Sequence, residues 1–188
     1  MIVLIFGVSN VGKTVIGKRL SEKLNYPFFD LDHEIKREFN TTLEEFMRAN
    51  PWPHERFKIK GSVLKNIIID NKDDMVIAVS PIYDARNFNS LLDMEQVIAV
   101  ELQDTEEHIF ERLVFSDEND NIYEDAEYKE AHRDYYLKDI HSDIVYVRKT
   151  FKKIRWKYFI DNKPVEQAAE ELFEMLPEKF REVKENHE

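Results

Sequence analysis

Cysteine is absent from this chain of 188 residues, and glycine occurs four times. Without cysteine there is no disulfide framework and no cysteine-ligated zinc site, and a reducing cytoplasm is the expected setting. No apolar run approaches the ~18 residues that a membrane span needs. The opening "MIVLIF" has neither a basic flank nor a small-residue cleavage site, so it reads as structure and not as a secretory leader. Positive charge is in deficit: 27 Lys and Arg face 38 Asp and Glu, a formal charge of -11. A surface of that sign repels nucleic acid and anionic lipid at long range, which argues against both as partners. It leaves room for a local basic pocket that takes a small anion. The length suits one domain over 1–188 with a substantial core, as a monomer or homodimer.

What is present is a regular alternation. "IVLIF" (2–6) is a short continuous apolar run, as in a strand buried on both faces. "KTVIGKRLSEKL" repeats Val15, Ile16, Leu20 and Leu24 at helical spacing. "YPFFD" (26–30), "MVIAV" (75–79), "QVIAVEL" (96–102) and "WKYFI" (156–160) are four further strands. Helices are expected from Asp32, over "LEEFMRA" with Thr41 or Thr42 as cap, over 54–70, across "EEHIFERLVF", along about 128–152, and over "VEQAAEELFEML" with Pro164 near its first turn. Residues 116–127 read as polar and irregular, and the tail "REVKENHE" as frayed. The fold class is therefore α/β: a five-stranded parallel sheet with helices on both faces.

"GVSNVGKT" (7–14) fits G-x-x-x-x-G-K-[ST] and stands where the mechanism needs it, between a buried strand and a helix. Gly7, Val8, Ser9, Asn10, Val11, Gly12, Lys13, Thr14 and Val15 are the candidate nucleotide contacts. Their backbone N–H groups face phosphate oxygens with the helix dipole behind them. Lys13 reaches the outer phosphates and Thr14 ligates magnesium. Asn10, the loop's fourth position, tolerates positive φ. Gly7, Gly12 and Gly17 are three of the four glycines, which reads as backbone approaching a ligand. "NKDD" (71–74) matches the base-reading N-K-x-D of GTP-binding switches but comes too early, before the third strand. It reads as a charged turn.

At the end of the second strand, "FFDLDHEI" carries Asp30 and Asp32. Positions i and i+2 of a strand share a face, so two carboxylates meet the loop at the sheet's carboxyl edge. One suits a magnesium ion and the other an acceptor hydroxyl, whose proton it can take. His132 and His141, nine apart, have no metal-ligand spacing, and Tyr135, Tyr136, Tyr146, Phe151 and Trp156 read as packing.

In these residues the chain resembles shikimate kinase: strand, phosphate loop, then D-x-D with Asp30 sixteen residues after Thr14. The resemblance extends over about 1–175. It implies a P-loop kinase with a lid at about 115–135, ATP and magnesium as cofactors, and transfer to a small hydroxylated acid. Lys13 and Asp32 take catalytic roles, Thr14 and Asp30 the metal, and Arg112 of "FERL" flanks adenine. Asp32 also touches the acceptor. For the family's F-R-x-x-E arginine, ungapped spacing selects Arg56 and the preceding Phe57 selects Lys58; Gly61 then replaces the glutamate. Arg148 falls where a second substrate-binding arginine belongs. Two departures stand out. Ser80-Pro81-Ile82 replaces three consecutive glycines, and Ser116 to Glu127 holds six acids and no base where the family's lid has an arginine. A mobile lid with its acids outward is the expectation, with Arg133 or Lys129 as substitute cations. The alternatives are a kinase for another sugar acid, or a nucleotide-binding regulatory module without transfer.

Overall fold

The computed structural model of the chain describes residues 1–71, 73–80 and 85–178, with backbone alone for 85–87. In chain order the elements are β1 (Ile2–Phe6), α1 (Lys13–Leu24), β2 (Phe28–Asp30), α2 (Leu31–Phe39), α3 (Leu43–Ala49), α4 (Pro53–Asp70), β3 (Met75–Ala78), α5 (Ala85–Leu92), β4 (Val97–Gln103), α6 (Glu106–Glu111), β5 (Phe115–Ser116), β6 (Ile122–Tyr123), α7 (Ala126–Ala131), α8 (Arg133–Thr150), β7 (Trp156–Phe159) and α9 (Val165–Met175). The main sheet has five strands in the order β2-β3-β1-β4-β7. All its pairings are parallel, with Ile2 opposite Met75 and Val97, Phe28 opposite Val76, and Val100 opposite Trp156. The expected five-stranded parallel sheet is the one found.

Every residue of β1 is buried although successive side chains point to opposite faces, so helices must cover both. α1 packs on α9, α6 on α8, and α2 on α3 and α4. Phe6, Phe88 and Phe151 stack around the centre of the sheet with ring centroids 5.0 to 5.3 Å apart. Of the aromatics read as packing, Phe151 is buried, whereas Tyr135 and Tyr146 are exposed. α8 turns only Ile140, Ile144 and Val147 into the core, and both tyrosines fall outside that stripe.

Local boundaries follow their caps. Thr42 starts α3 through a capping box with Glu45. Asp30, not Asp32, starts α2: its Oδ1 accepts from the backbone N–H groups of Asp32 and His33. The helix expected over 128–152 breaks at His132 into α7 and α8, with Asp125 as the N-cap of α7. The stretch read as irregular forms an antiparallel hairpin, β5–β6. α5 is an addition that the periodicity did not announce. Pro81, Ile82, Lys72 of the charged turn, and the tail beyond residue 178 lie outside the described residues.

Candidate active site

Strand β1 ends at the centre of the sheet, and the loop after it turns on backbone that L-residues rarely adopt. Gly7 has φ 149° and Gly12 φ 109°, and Asn10 takes the left-handed region at φ 58°. A Cβ on Gly7 would stand 2.8 Å from the Leu102 carbonyl oxygen and from Val11 Cγ1, so neither space nor backbone admits a side chain there. Gly17 differs from the expectation. It lies in α1, and its missing Cβ lets the helix sit on Ile5 and Phe28, 3.0 Å away. It serves packing and not a ligand.

Lys13 opens α1 and folds back over the loop, donating to the carbonyls of Val8 (2.8 Å) and Gly7 (3.1 Å). Burial lowers its pKa from 10.5 to about 8, against the opposing pull of Asp32 and Asp30. Thr14 Oγ1 donates to Asp30 Oδ2 at 2.6 Å. Asp30 therefore anchors α2 with one oxygen and meets the loop with the other. The two aspartates do reach one place, by a route other than strand alternation: β2 ends at Asp30, and Asp32 belongs to the first turn of α2.

Beyond the loop lies a cavity of about 580 Å³ lined by Lys13, Thr14, Arg112, Ile122, Asp125 and Lys129, among others. Arg112 ends α6 and points back over the loop, with Nε 3.3 Å from the Asn10 carbonyl. Asp104, whose side chain is wholly buried, holds Arg112 at 2.6 Å and accepts from His108 at 2.8 Å. Burial pushes the Asp104 carboxyl up, but hydrogen bonds from His108, Arg112 and the Thr105 amide outweigh it and keep it below the ordinary value. Asp104, His108 and Arg112 are four residues apart in turn, one per helical turn. That spacing was readable in the sequence, though only Arg112 was singled out.

The acceptor side is built differently. Lys60 Nζ lies 2.8 Å from Asp32 Oδ1 and 3.0 Å from Ser80 Oγ, tying α4 to α2 and to the end of β3. On α8, Asp143 lies within electrostatic reach of Lys13, its carboxyl pushed up by burial and by Asp139 and drawn down by Lys13. The three predicted substrate cations go elsewhere. Arg56 donates to the carbonyls of Asn50 and Pro51, both at 2.9 Å, closing the end of α3. Lys58 is exposed and lines a different cavity, beside Glu38 and Phe39. Arg148 is exposed near Gln103 and Asp104 at the end of β4. The periodicity of α4 explains the miss. Lys60 heads the buried stripe of Leu64, Ile67 and Ile68, while Lys58 shares the exposed stripe of Ser62, Lys65 and Ile69. A helical wheel finds Lys60; matching "HERFKIKG" to a motif does not.

Of the six acids at 116–127, Asp117, Glu118, Glu124, Asp125 and Glu127 are exposed as expected, and Asp120 departs from the expectation. Asp117 closes its own turn through Asn119 and Asn121. Asp120 points inward, where its carboxylate accepts from the Leu43 backbone N–H at 3.1 Å and pairs with Lys36 at 3.4 Å. An amide and an ammonium thus offset the repulsion that was to turn it outward. Lys129 is engaged by the carbonyls of Glu111 and Leu113, and Arg133 stacks over the Phe110 ring at 4.6 Å.

The family model for shikimate kinase matches residues 9–177, which take in the loop from Ser9 onward and both Asp30 and Asp32. The chain belongs to the shikimate kinase family. The shikimate kinase 2 of Photorhabdus laumondii is 31% identical over 71 residues, 38% of this chain and 40% of that protein. The matched part spans less than half the length of the first curated relatives. Two solved shikimate kinases share the fold at 20% identity. That of Bacteroides thetaiotaomicron superposes with TM-score 0.71, covering 93% of this chain and 97% of its own. That of Acinetobacter baumannii, in complex with shikimate, gives 0.68 over 92% and 90%. Among the described residues no helix of this shikimate kinase family member is long and apolar enough to cross a membrane.

Proposed function

We propose that the chain is an ATP-dependent kinase that transfers a phosphoryl group to a hydroxyl of a small acidic molecule. The observation that carries this reading is the meeting of Lys13, Thr14, Asp30 and Asp32 at one edge of the sheet, with Thr14 and Asp30 2.6 Å apart. Loop amides and the α1 dipole receive the phosphates. Lys13, released from the carbonyls of Gly7 and Val8, pairs with the outer phosphates. Thr14 and Asp30 offer a hydroxyl and a carboxylate, hard oxygens of the kind magnesium takes beside phosphate, and would hold the ion there. Magnesium bound there supplies neutralisation of the phosphate charge. Asp32 orients the acceptor hydroxyl and accepts its proton while the oxygen attacks the outer phosphorus in line and the bond to the departing ADP oxygen breaks. Arg112, steadied by Asp104, flanks the adenine end. The hairpin and α7 form the lid over the nucleotide.

The resemblance and the shikimate bound in the Acinetobacter baumannii relative make shikimate the leading named acceptor. The cytoplasm is the proposed place of work, with no nucleic acid or membrane partner, as a monomer or homodimer. The test is ATP consumption by the purified protein with magnesium, with and without shikimate, quinate and gluconate, beside Lys13→Ala. Consumption that depends on one of these acids and disappears in Lys13→Ala supports the reading. Consumption that no acid stimulates argues for a nucleotide-binding module without transfer.

A further inference from the structure

The acceptor side holds an ammonium that neither motif nor resemblance had named. Lys60 Nζ sits between Asp32 and Ser80, 15% exposed, with Asp32 at 35%. A purely structural ion pair explains it poorly. α4 is already anchored by Val63, Leu64, Ile67 and Ile68, and a partly exposed pair adds little to such a face. An ammonium has three N–H donors, and Asp32 and Ser80 take two, which leaves one for a ligand. Asp32 also lies within electrostatic reach of Lys13, which serves the phosphate loop, but the ammonium hydrogen-bonded to it is Lys60, and the contacts of Arg56, Lys58 and Arg148 are made elsewhere.

We propose that Lys60 receives the anionic group of the acceptor and fixes which hydroxy acids the site admits. The inference rests on the kinase reading above and deepens it. Asp32 is the group that orients the hydroxyl, and Lys60 stands 2.8 Å from it. A hydroxyl on Asp32 and an acid group on Lys60, each at hydrogen-bond distance, can be no more than roughly 8 Å apart. The acceptor is therefore compact: a short or cyclic hydroxy acid, and not a long-chain one. Its anion also takes over charge that Lys60 now shares with Asp32, which frees that carboxylate to meet the hydroxyl. A neutral polyol brings no such exchange, so it meets an Asp32 still paired with Lys60.

The test is calorimetric binding to the whole protein loaded with magnesium and ADP. The probes are shikimate, quinate and gluconate, with methyl shikimate as the uncharged counterpart. The variants are Lys60→Met, Lys60→Arg and, if the methionine variant fails to fold, Lys60→Gln. Removing the charge should weaken the acid that the natural protein binds by about 10- to 100-fold, the scale of one charge-assisted hydrogen bond. Methyl shikimate and ADP should bind as before, and Lys60→Arg should restore the acid. Equal effects on acid and ester, or loss of ADP binding with the acid, would overturn the assignment. So would a natural protein that takes ADP but none of the three acids; that result leaves the nucleotide site standing. A natural protein that does not take ADP removes the kinase reading and the inference with it.

Discussion

The two halves of the site are made of different material. The phosphate side is backbone: a loop on Gly7, Asn10 and Gly12, all at positive φ, feeding the first turn of α1. The acceptor side is side chain: Asp32 from α2, Lys60 from α4 and Ser80 from the end of β3, joined by two hydrogen bonds. Backbone geometry constrains which residues stand in a short contiguous stretch. A side-chain cluster constrains only where charges end up, and a cation can reach the same point from any of several positions. The first kind of site is therefore read from a contiguous motif, and the second is not.

The sharpest way to separate the halves is Asp32→Asn. The amide keeps the size and cannot take a proton, so turnover should fall roughly 10²–10⁴-fold while the KM for ATP stays put. Steady-state kinetics with ATP and the acceptor varied in turn measures this. An equal loss in ATP affinity would break the comparison, because Asp32 would then belong to the nucleotide.

Proton binding at Lys13 sharpens it further. With its pKa near 8 in the folded chain, Lys13 loses charge as pH rises past that value. ATP affinity should then weaken, by up to about tenfold per pH unit above it. Stability should move the other way. Between about 8 and the ordinary 10.5 the unfolded chain holds the extra proton, so this group makes the fold more stable as pH rises through that window. Nucleotide titrations and denaturant melts from pH 7 to 10 test both, and an affinity flat with pH would contradict the first.

The smallest effect expected is at Gly61. It lies mid-helix in α4, and among the described residues nothing stands within 4 Å of where a Cβ would go, so Gly61→Ala should stabilise the fold by about 0.5–1 kcal/mol. The midpoint of urea unfolding reports it. Unchanged ATP affinity in that variant keeps the two halves separate.

Legibility in the sequence followed the same divide. The central strands β1, β3 and β4 were readable because strands buried on both faces are short apolar runs, the half-buried edge strands β2 and β7 by their aromatic residues, and the loop because its chemistry is contiguous. Asp30 and Asp32 were rightly paired on a mistaken ground, for a helix cap and not strand alternation brings them together. Lys60 escaped because motif spacing was weighed above the helical stripe it heads. Asp143 escaped because α8 arrives from far along the chain, and nothing local in "HSDIV" marks it. The inward turn of Asp120 depends on an amide 77 residues away, which no local pattern encodes.

That last contact has a thermodynamic meaning. Asp120 joins the hairpin to the start of α3 and to Lys36 of α2, the helices that lead into the acceptor side, and its side chain is 13% exposed there. Hairpin and helices then share one conformational equilibrium to the extent that this bond holds. Any molecule that favours the joined state from the nucleotide side favours it for the acceptor side by the same free energy, and the reverse holds equally. Asp120 is thus the contact at which a movement of the hairpin on the nucleotide side would meet the helices that lead into the acceptor side.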